Sequence, residues 1–339
     1  MEDIESQDLA QETRSIDVFI PPSIHQEAIP AGGSYTHHSP IPETISLNLS
    51  TECVLGVDEA GRGPVLGPMV YGLLYLPLTK HRSLLAETHH FDDSKVLTPV
   101  VRSSLMQALC TADTDLYQNC GWATRVMSAR DISAGMLKPA GTYNLNAQAM
   151  DATIDLIKDV FAKGVNVREI YIDTIGSPAV YQKKLERVFP TTMIRVAKKA
   201  DSLYPCVSAA SVCAKVIRDA ALEVCYQTYV SDTVASEEPW VSAEGWGSGY
   251  PSDARCTTWL KGHMNPVFGW GSECRFSWGT AKDLLEAKGS SAKVEWPVDG
   301  DEHDMLVTDF FSIPTDHEYD HEPNELTTWF GKPVPEGIF

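Results

Sequence analysis

Apolar positions along the chain follow two rhythms. Short, nearly unbroken runs at 52–57 and 69–76 predict buried strands, the second rich in Val, Tyr and Leu. At 144–163 the spacing turns helical, with Ala147, Met150, Ile154, Ile157 and Phe161 three or four apart. Gly164 then stands where a helix stop belongs. Residues 99–112 share the helical pattern. Further on, 169–173 reads as a strand, 179–189 as a helix, 193–197 as a parallel-type strand and 204–229 as a long Ala-rich helix, mostly buried. Strand and helix in alternation predict an α/β layer structure with some parallel pairing. The longest strongly apolar run, 64–78, is broken by Gly67, Pro68, Gly72 and Pro77 and is too short to span a bilayer.

Charge divides the chain into three. Its 339 residues carry a formal net charge of −19, with 43% hydrophobic and 22% charged residues. Residues 1–49 mix Pro, Ser, Gln, Glu and Gly without periodicity and are expected to be a disordered acidic extension. Residues 288–339 form an acidic tail holding the apolar islands 305–311 and 329–330, a pattern that suggests docking on a partner. Residues 50–287 are close to neutral, with 23 Lys/Arg against 26 Asp/Glu, so any phosphate binding there has to be local. Eight scattered cysteines without a C-x-x-C pair suggest reduced thiols in an intracellular protein and argue against zinc. The start of the chain has no secretory pattern.

The candidate chemistry lies in acids at the ends of expected strands. Asp58 and Glu59 close the first, Asp173 closes 169–173, and Asp201 follows 193–197. Neighbouring strands of one sheet bring such ends together. Four carboxylates in one pocket repel, and divalent cations relieve that repulsion; oxygen-only ligation favours Mg²⁺ or Mn²⁺. Acids near strand ends also serve as plain turn and cap residues. Gly61-Arg62-Gly63 follows the acid pair and runs into Pro64, which does not open a helix, so a dinucleotide fingerprint is excluded; a P-loop lacks its G-K-[S/T]. What remains is a small-residue turn that lets backbone approach a sugar or phosphate closely. Arg62 within it suits a phosphate or is a surface arginine.

The stretch Val57-Asp58-Glu59-Ala60-Gly61-Arg62-Gly63-Pro64-Val65-Leu66-Gly67-Pro68-Met69-Val70 closely resembles the signature of type 2 ribonuclease H. The resemblance continues through Asp93-Ser94-Lys95, Tyr143-Asn144-Leu145-Asn146, Tyr171-Ile172-Asp173-Thr174-Ile175-Gly176 and Lys198-Lys199-Ala200-Asp201-Ser202. It ends with Gly247-Ser248-Gly249-Tyr250-Pro251 and Arg275-Phe276-Ser277-Trp278, and covers roughly 50–287 in order. Val165-Asn166-Val167 and Phe276-Ser277-Trp278 look like the eukaryotic catalytic-subunit branch of that family.

The resemblance implies a ribonuclease H-like fold, with a mixed central sheet flanked by helices and a C-terminal helical region. It implies an endonuclease that hydrolyses RNA in RNA–DNA hybrids and cuts 5′ of single ribonucleotides embedded in duplex DNA, leaving 5′-phosphate and 3′-hydroxyl ends. That role belongs to ribonucleotide excision repair and primer removal in the nucleus. The family's four carboxylates map onto Asp58, Glu59, Asp173 and Asp201. Two Mg²⁺ or Mn²⁺ ions held there would activate a water and stabilise the leaving 3′ oxygen in an in-line displacement. Gly61, Arg62, Gly63 and Tyr250 would sense the 2′-hydroxyl, the one group that separates RNA from DNA at a single nucleotide.

Lys95, Asn144 and Arg218 are candidate phosphate contacts. Asn144 could instead cap a helix, and Arg218 could pair with Asp219 or Glu223. Ser211 and Lys215 are read as structural or supporting. The acidic, Trp-bearing segment 231–247 is an insertion ahead of Tyr250. In the tail, docking on two accessory subunits of a heterotrimer is the preferred reading. Val307-x-x-Phe310-Phe311 also resembles a sliding-clamp-binding box, with Asp304 in place of its glutamine. Rival readings are another metal nuclease of the same superfamily, such as a type 1 ribonuclease H, and a non-catalytic protein that has kept the fold.

Overall fold

The computed structural model describes residues 19–91, 97–138, 143–235 and 245–287. A six-stranded sheet runs through its centre. The strands are β1 (Tyr35–His38), β2 (Cys53–Ala60), β3 (Met69–Pro77), β4 (Gly121–Met127), β5 (Val167–Asp173) and β6 (Met193–Ala197). Their spatial order is β1-β4-β3-β2-β5-β6. The pairs β2–β5 and β5–β6 are parallel, while β1–β4, β4–β3 and β3–β2 are antiparallel, so the sheet is mixed.

The nine α-helices among the described residues are α1 (Glu43–Ser46), α2 (Pro99–Cys110), α3 (Asp115–Asn119), α4 (Ala129–Met136), α5 (Leu145–Ala162), α6 (Pro178–Val188), α7 (Pro205–Ala235), α8 (Ala254–Gly262) and α9 (Gly279–Glu286). Strand alternation sorts the core into two layers. Val54, Val70, Leu74 and Leu76 pack with α2 and the Ala-rich α7, together with Cys206, Val207 and Ala210. Leu55, Val57, Tyr71 and Leu73 pack on the other face with Ala149, Leu156 and Ile157 of α5 and with Tyr181 and Leu185 of α6. A separate aromatic cluster holds the C-terminal helical region, where Trp246, Trp259 and Trp270 bury against Val65, Leu66 and Leu222.

The helices α5, α6 and α7 and the strands β2, β3, β5 and β6 fall where the spacing puts them. β4, α3 and α4 were not foreseen. β4 is buried on both faces, so it shows no alternation, and Thr124 and Arg125 interrupt its apolar residues, so it shows no unbroken run either. The expectation of a disordered 1–49 is corrected for residues 19–49. There β1 adds to the sheet edge beside β4, pairing Tyr35 with Val126 and His38 with Ala123. The His37 ring stacks on Trp122 with centroids 5.2 Å apart, and His25 stacks on Tyr35 at 4.2 Å. Composition counts polar residues and misses that four aromatic rings here cover one another. Within the expected insertion 231–247, α7 runs on to Ala235 and Trp246 joins the aromatic cluster. Lys95 and the whole tail 288–339, with its docking segments, lie outside the described residues. Among the described residues no helix is long and apolar enough to cross a membrane.

Two glycines set the distance between sheet and helix. A Cβ on Gly56 would stand 2.3 Å from the Cys206 carbonyl oxygen, and one on Gly72 would stand 2.4 Å from that of Ala210. Both obstacles are α7 backbone, which cannot swing away. Gly72→Ala should therefore push the helix off the sheet and destabilise the protein by at least the ~1–3 kcal/mol typical of overpacked cores. Urea unfolding of wild type and variant measures this; equal midpoints would show that α7 tolerates the displacement.

Candidate active site

Asp58 and Glu59 lie within the last three residues of β2. Alternation sends Asp58 toward α7, level with Gly72 of β3, and Glu59 to the opposite face, level with Tyr71. β5 runs parallel to β2, with Val57 level with Ile172, so Asp173 ends its strand beside Asp58. Asp201 sits in the 3₁₀ turn Ala200–Ser202 between β6 and α7. Lys199 enters that turn with φ 53°, a left-handed backbone rarely adopted by lysine. The Asp173 carboxylate holds the turn by accepting from the Ala200 N–H at 2.9 Å. Asp201 accepts from the Ser202 N–H at 3.1 Å, and Asp58 from the Glu59 N–H at 2.8 Å and from the Ser211 hydroxyl of α7. The fold thus brings all four expected carboxylates to one end of the sheet.

Asp58 and Asp201 are buried. Burial pushes the Asp58 carboxyl up to about 7; the Ser211 hydrogen bond opposes this, while the charges of Asp173 and Asp201 add to it. Glu59 is pushed up to about 8, by burial first and then by Asp58, with Arg62 opposing. A buried, oxygen-only cluster whose members hold protons against their own repulsion is a donor set that fits hard divalent cations. Among the described residues no three His, Cys, Asp or Glu side chains stand close enough together to hold a metal ion as they are placed.

The loop joining β2 to β3 has no secondary structure of its own, yet every part of it is tied down. Gly61 and Gly67 take φ 79° and 84°. Arg275, fully buried, donates Nη2 to the Gly61 carbonyl at 2.7 Å, Nη1 to Arg62 at 3.1 Å and Nε to Gly67 at 3.0 Å. Its own N–H bonds Val65 O at 2.8 Å, and the Trp278 indole donates to Gly63 O at 3.1 Å beneath the guanidinium. Burial, with nearby Arg218 adding, lowers the Arg275 pKa to about 9; the carbonyl dipoles replace the lost water. This arginine was not singled out by sequence reasoning. Its signal was only membership in a motif, because the acceptors are backbone atoms more than 200 residues away.

Tyr250 stands over the turn, half-exposed. A Cβ on Gly63 would lie 3.1 Å from its Cε1, so glycine gives the ring its seat. Arg62 reaches the other way, donating Nη2 to Asn146 Oδ1, and its Nη1 is buried without a partner. Asn144 caps α5, its side chain accepting from Asn146 N–H at 3.0 Å and Ala147 N–H at 3.1 Å. It lines a groove of about 570 Å³ with Asn146, Ser177, Tyr181 and Lys184. Arg218 is buried and pairs with Asp219 at 3.0 Å, one of the two acids considered for it, and bonds the Ser248 carbonyl. Its guanidinium lies 5.7 Å from the Tyr250 ring centroid. Arg218 therefore braces the loop behind Tyr250 instead of facing open solvent.

A carboxylate cluster at the end of a mixed sheet, beside a pinned glycine turn, defines an α/β metal-type hydrolase of the ribonuclease H-like class. The comparisons carry this further. The ribonuclease HII family model matches residues 55–281, and the chain belongs to that family. It is 59% identical over 318 residues to a ribonuclease H2 subunit of Neurospora crassa, covering 93% of this chain and 95% of that protein. The ribonuclease H2 subunit of the same name in Homo sapiens is 43% identical over 248 residues, covering 73% of this chain and 77% of the human protein. The crystal structure of ribonuclease H2 from Pyrococcus horikoshii superposes with a TM-score of 0.53 at 26% identity, covering 69% of this chain and 97% of that chain. The chain is accordingly a ribonuclease H, an endoribonuclease acting on RNA–DNA hybrids.

Two outcomes test the site. Arg275→Lys keeps the charge but cannot span three carbonyls, and each charged hydrogen bond contributes roughly 1.5–3 kcal/mol. The variant should lose on the order of 2–5 kcal/mol in denaturant unfolding, whereas a loss under 1 kcal/mol would mean that the loop holds itself. The second outcome concerns pH. Carboxyl pKa values raised on folding favour the native state below their unfolded values of 3.8 and 4.5. That contribution is lost as pH rises toward about 7 and 8. Metal-free protein should lose stability across this range, and Asp58→Asn should flatten the fall. A thermal-melt series in chelator, with and without the substitution, reads both.

Proposed function

We propose that this chain is the catalytic subunit of a ribonuclease H2-type enzyme. In this reading it cuts 5′ of single ribonucleotides in duplex DNA as well as within hybrids, and so serves ribonucleotide excision repair in the nucleus. The observation that carries the reading is the Gly61-Arg62-Gly63 backbone, fixed from behind by Arg275 and Trp278 and overhung by Tyr250, next to four converging carboxylates.

Asp58, Glu59, Asp173 and Asp201 would hold two divalent cations, Mg²⁺ or Mn²⁺. When bound, these would supply the charge that makes a water nucleophilic and stabilises the departing 3′ oxygen. The chain's own residues do the remainder. Ser211 and the Glu59 N–H fix the Asp58 carboxylate, and Asp173 sets the turn that presents Asp201. With the Gly61 and Arg62 carbonyls turned back onto Arg275 and that of Gly63 onto Trp278, the Gly61–Gly63 backbone is a rigid surface at which a 2′-hydroxyl can be recognised. The Tyr250 ring offers a stacking face for a sugar, and its hydroxyl can reach the 2′-oxygen. Arg62, with one buried partnerless nitrogen, suits a phosphate oxygen.

Relatives named as subunits of ribonuclease H2 support assembly with accessory subunits, for which the tail 288–339 is the candidate docking segment. The sliding-clamp-like box at 304–311 is a weaker second use of the same tail.

Two substitutions at Tyr250 test the substrate reading. Tyr250→Phe keeps the ring and loses a hydrogen bond worth about 0.5–1.5 kcal/mol, or about 2- to 12-fold in rate. Tyr250→Ala also loses a stacking surface worth ~1–3 kcal/mol. The Ala variant should fall much further, and most on a single embedded ribonucleotide. Equal losses on that substrate and on a long hybrid would make Tyr250 a scaffold residue. In parallel, Asp173→Asn or Asp201→Asn should abolish metal-dependent cutting with the melting transition retained. Near-normal turnover in either would remove that residue from the catalytic set.

A further inference from the structure

The described core is nearly neutral, yet one edge of it is not. Between 183 and 199 the sequence holds Lys183, Lys184, Arg187, Arg195, Lys198 and Lys199 against the single acid Glu186. These residues belong to α6, to β6 and to the turn that leads into Asp201, and β6 is the last strand of the sheet. Lys183, Lys184, Arg187, Arg195, Lys198 and Lys199 are all exposed. Five cations elsewhere in the described residues are paired with acids: Arg130 with Asp131, Arg168 with Glu52, Arg218 with Asp219, Arg255 with Asp253 and Lys282 with Glu286. Among the described residues none of the six edge cations forms an ion pair. Glu186, the one acid among them, is already engaged by the Gln182 amide at 2.8 Å.

The strip begins where the substrate reading places the cut. Lys198 and Lys199 immediately precede the Asp201 turn, and Lys184 lines a groove with Asn146, whose side chain accepts from Arg62. From there Lys183 and Arg187 continue along α6, and Arg195 sits on β6 at the level of Tyr171, its side chain on the sheet face away from the one that Ile194 and Val196 pack beneath α6. Like charges gathered on both faces of one sheet edge repel one another, in a chain that has acids to spare elsewhere. A polyanion that runs from the carboxylate site past the sheet edge relieves that repulsion, and releases counterions on binding.

We propose that this α6–β6 edge is an exosite for the duplex flanking the cut, contacting phosphates several base pairs from the scissile bond and reading no sequence. The inference rests on the ribonuclease H2 reading and adds the face along which the duplex leaves. Eleven residues of α6 span roughly 16 Å, which corresponds to about five base pairs at ~3.4 Å each.

The test uses the full chain carrying Asp173→Asn to prevent cutting, with and without Lys183→Ala/Arg187→Ala/Arg195→Ala. Two hairpin-closed duplexes with one embedded ribonucleotide are compared, one with flanks of about twelve base pairs and one with about three. Affinity is measured against salt concentration. Each phosphate contact contributes roughly 0.9 to the slope of log K against log salt. The triple substitution should therefore flatten the slope by about 2–3 on the long duplex and leave the short one unaffected. A control triple, Lys158→Ala/Lys261→Ala/Lys282→Ala, removes the same charge elsewhere and should change neither slope. Equal slopes for parent and variant on the long duplex overturn the exosite and leave the edge to an acidic protein segment. An equal fall on both duplexes also overturns it, since the residues would then act at the cut itself. Cleavage of the long duplex by the unsubstituted chain is scored separately, so failure of the enzymatic reading is distinguishable from failure of the exosite.

Discussion

The site depends on how closely α7 lies on the sheet. Gly56 and Gly72 have no side chains because the Cys206 and Ala210 carbonyls occupy that space. Only at this separation does Ser211 reach Asp58 and does the turn before α7 present Asp201 to the end of β5. The same contact removes water from Asp58, so one packing decision sets both the positions of the carboxylates and their reluctance to ionise. A helix held a single methyl further away would leave the carboxylates wetter, more acidic and further apart.

The second organising principle is that flexible backbone has been made rigid by distant side chains. Glycine supplies the close approach at Gly61 and Gly63 but brings no order of its own. Arg275, Trp278 and the Gly249 carbonyl supply the order, and Arg218 braces the segment that carries Tyr250. The buried charges here act on backbone carbonyls and hold shape in the loop beside the carboxylates.

Much of this was legible in the chain and some was not, for definable reasons. Long helices and the parallel strands declare themselves by periodicity, and the four acids by their places at strand ends. The motif that follows Asp58 identified the family. β4 was hidden because Thr124 and Arg125 break its buried apolar run, and β1 because its stabilising contacts are stacked rings contributed by a polar-looking segment. Asn144 read as a phosphate ligand that could instead be a cap, and the structure shows the capping bonds. Arg218 carried the same ambiguity and resolved toward Asp219. Arg275 could not be read at all from residue type, since its partners are carbonyls that every residue has.

The sequence separation between Arg275 and the loop it holds bears on how the protein comes into being. Synthesis proceeds from the N-terminus, and all four carboxylates have left the ribosome well before residue 275 does. Until then the β2–β3 loop has no guanidinium to close on, and a chain stopped short of that point carries the acids without the brace that shapes the loop beside them. Loop closure over more than 200 residues is also entropically slow. The braced form of the β2–β3 loop is therefore among the later parts of the described residues to form, after the carboxylates beside it have already been synthesised.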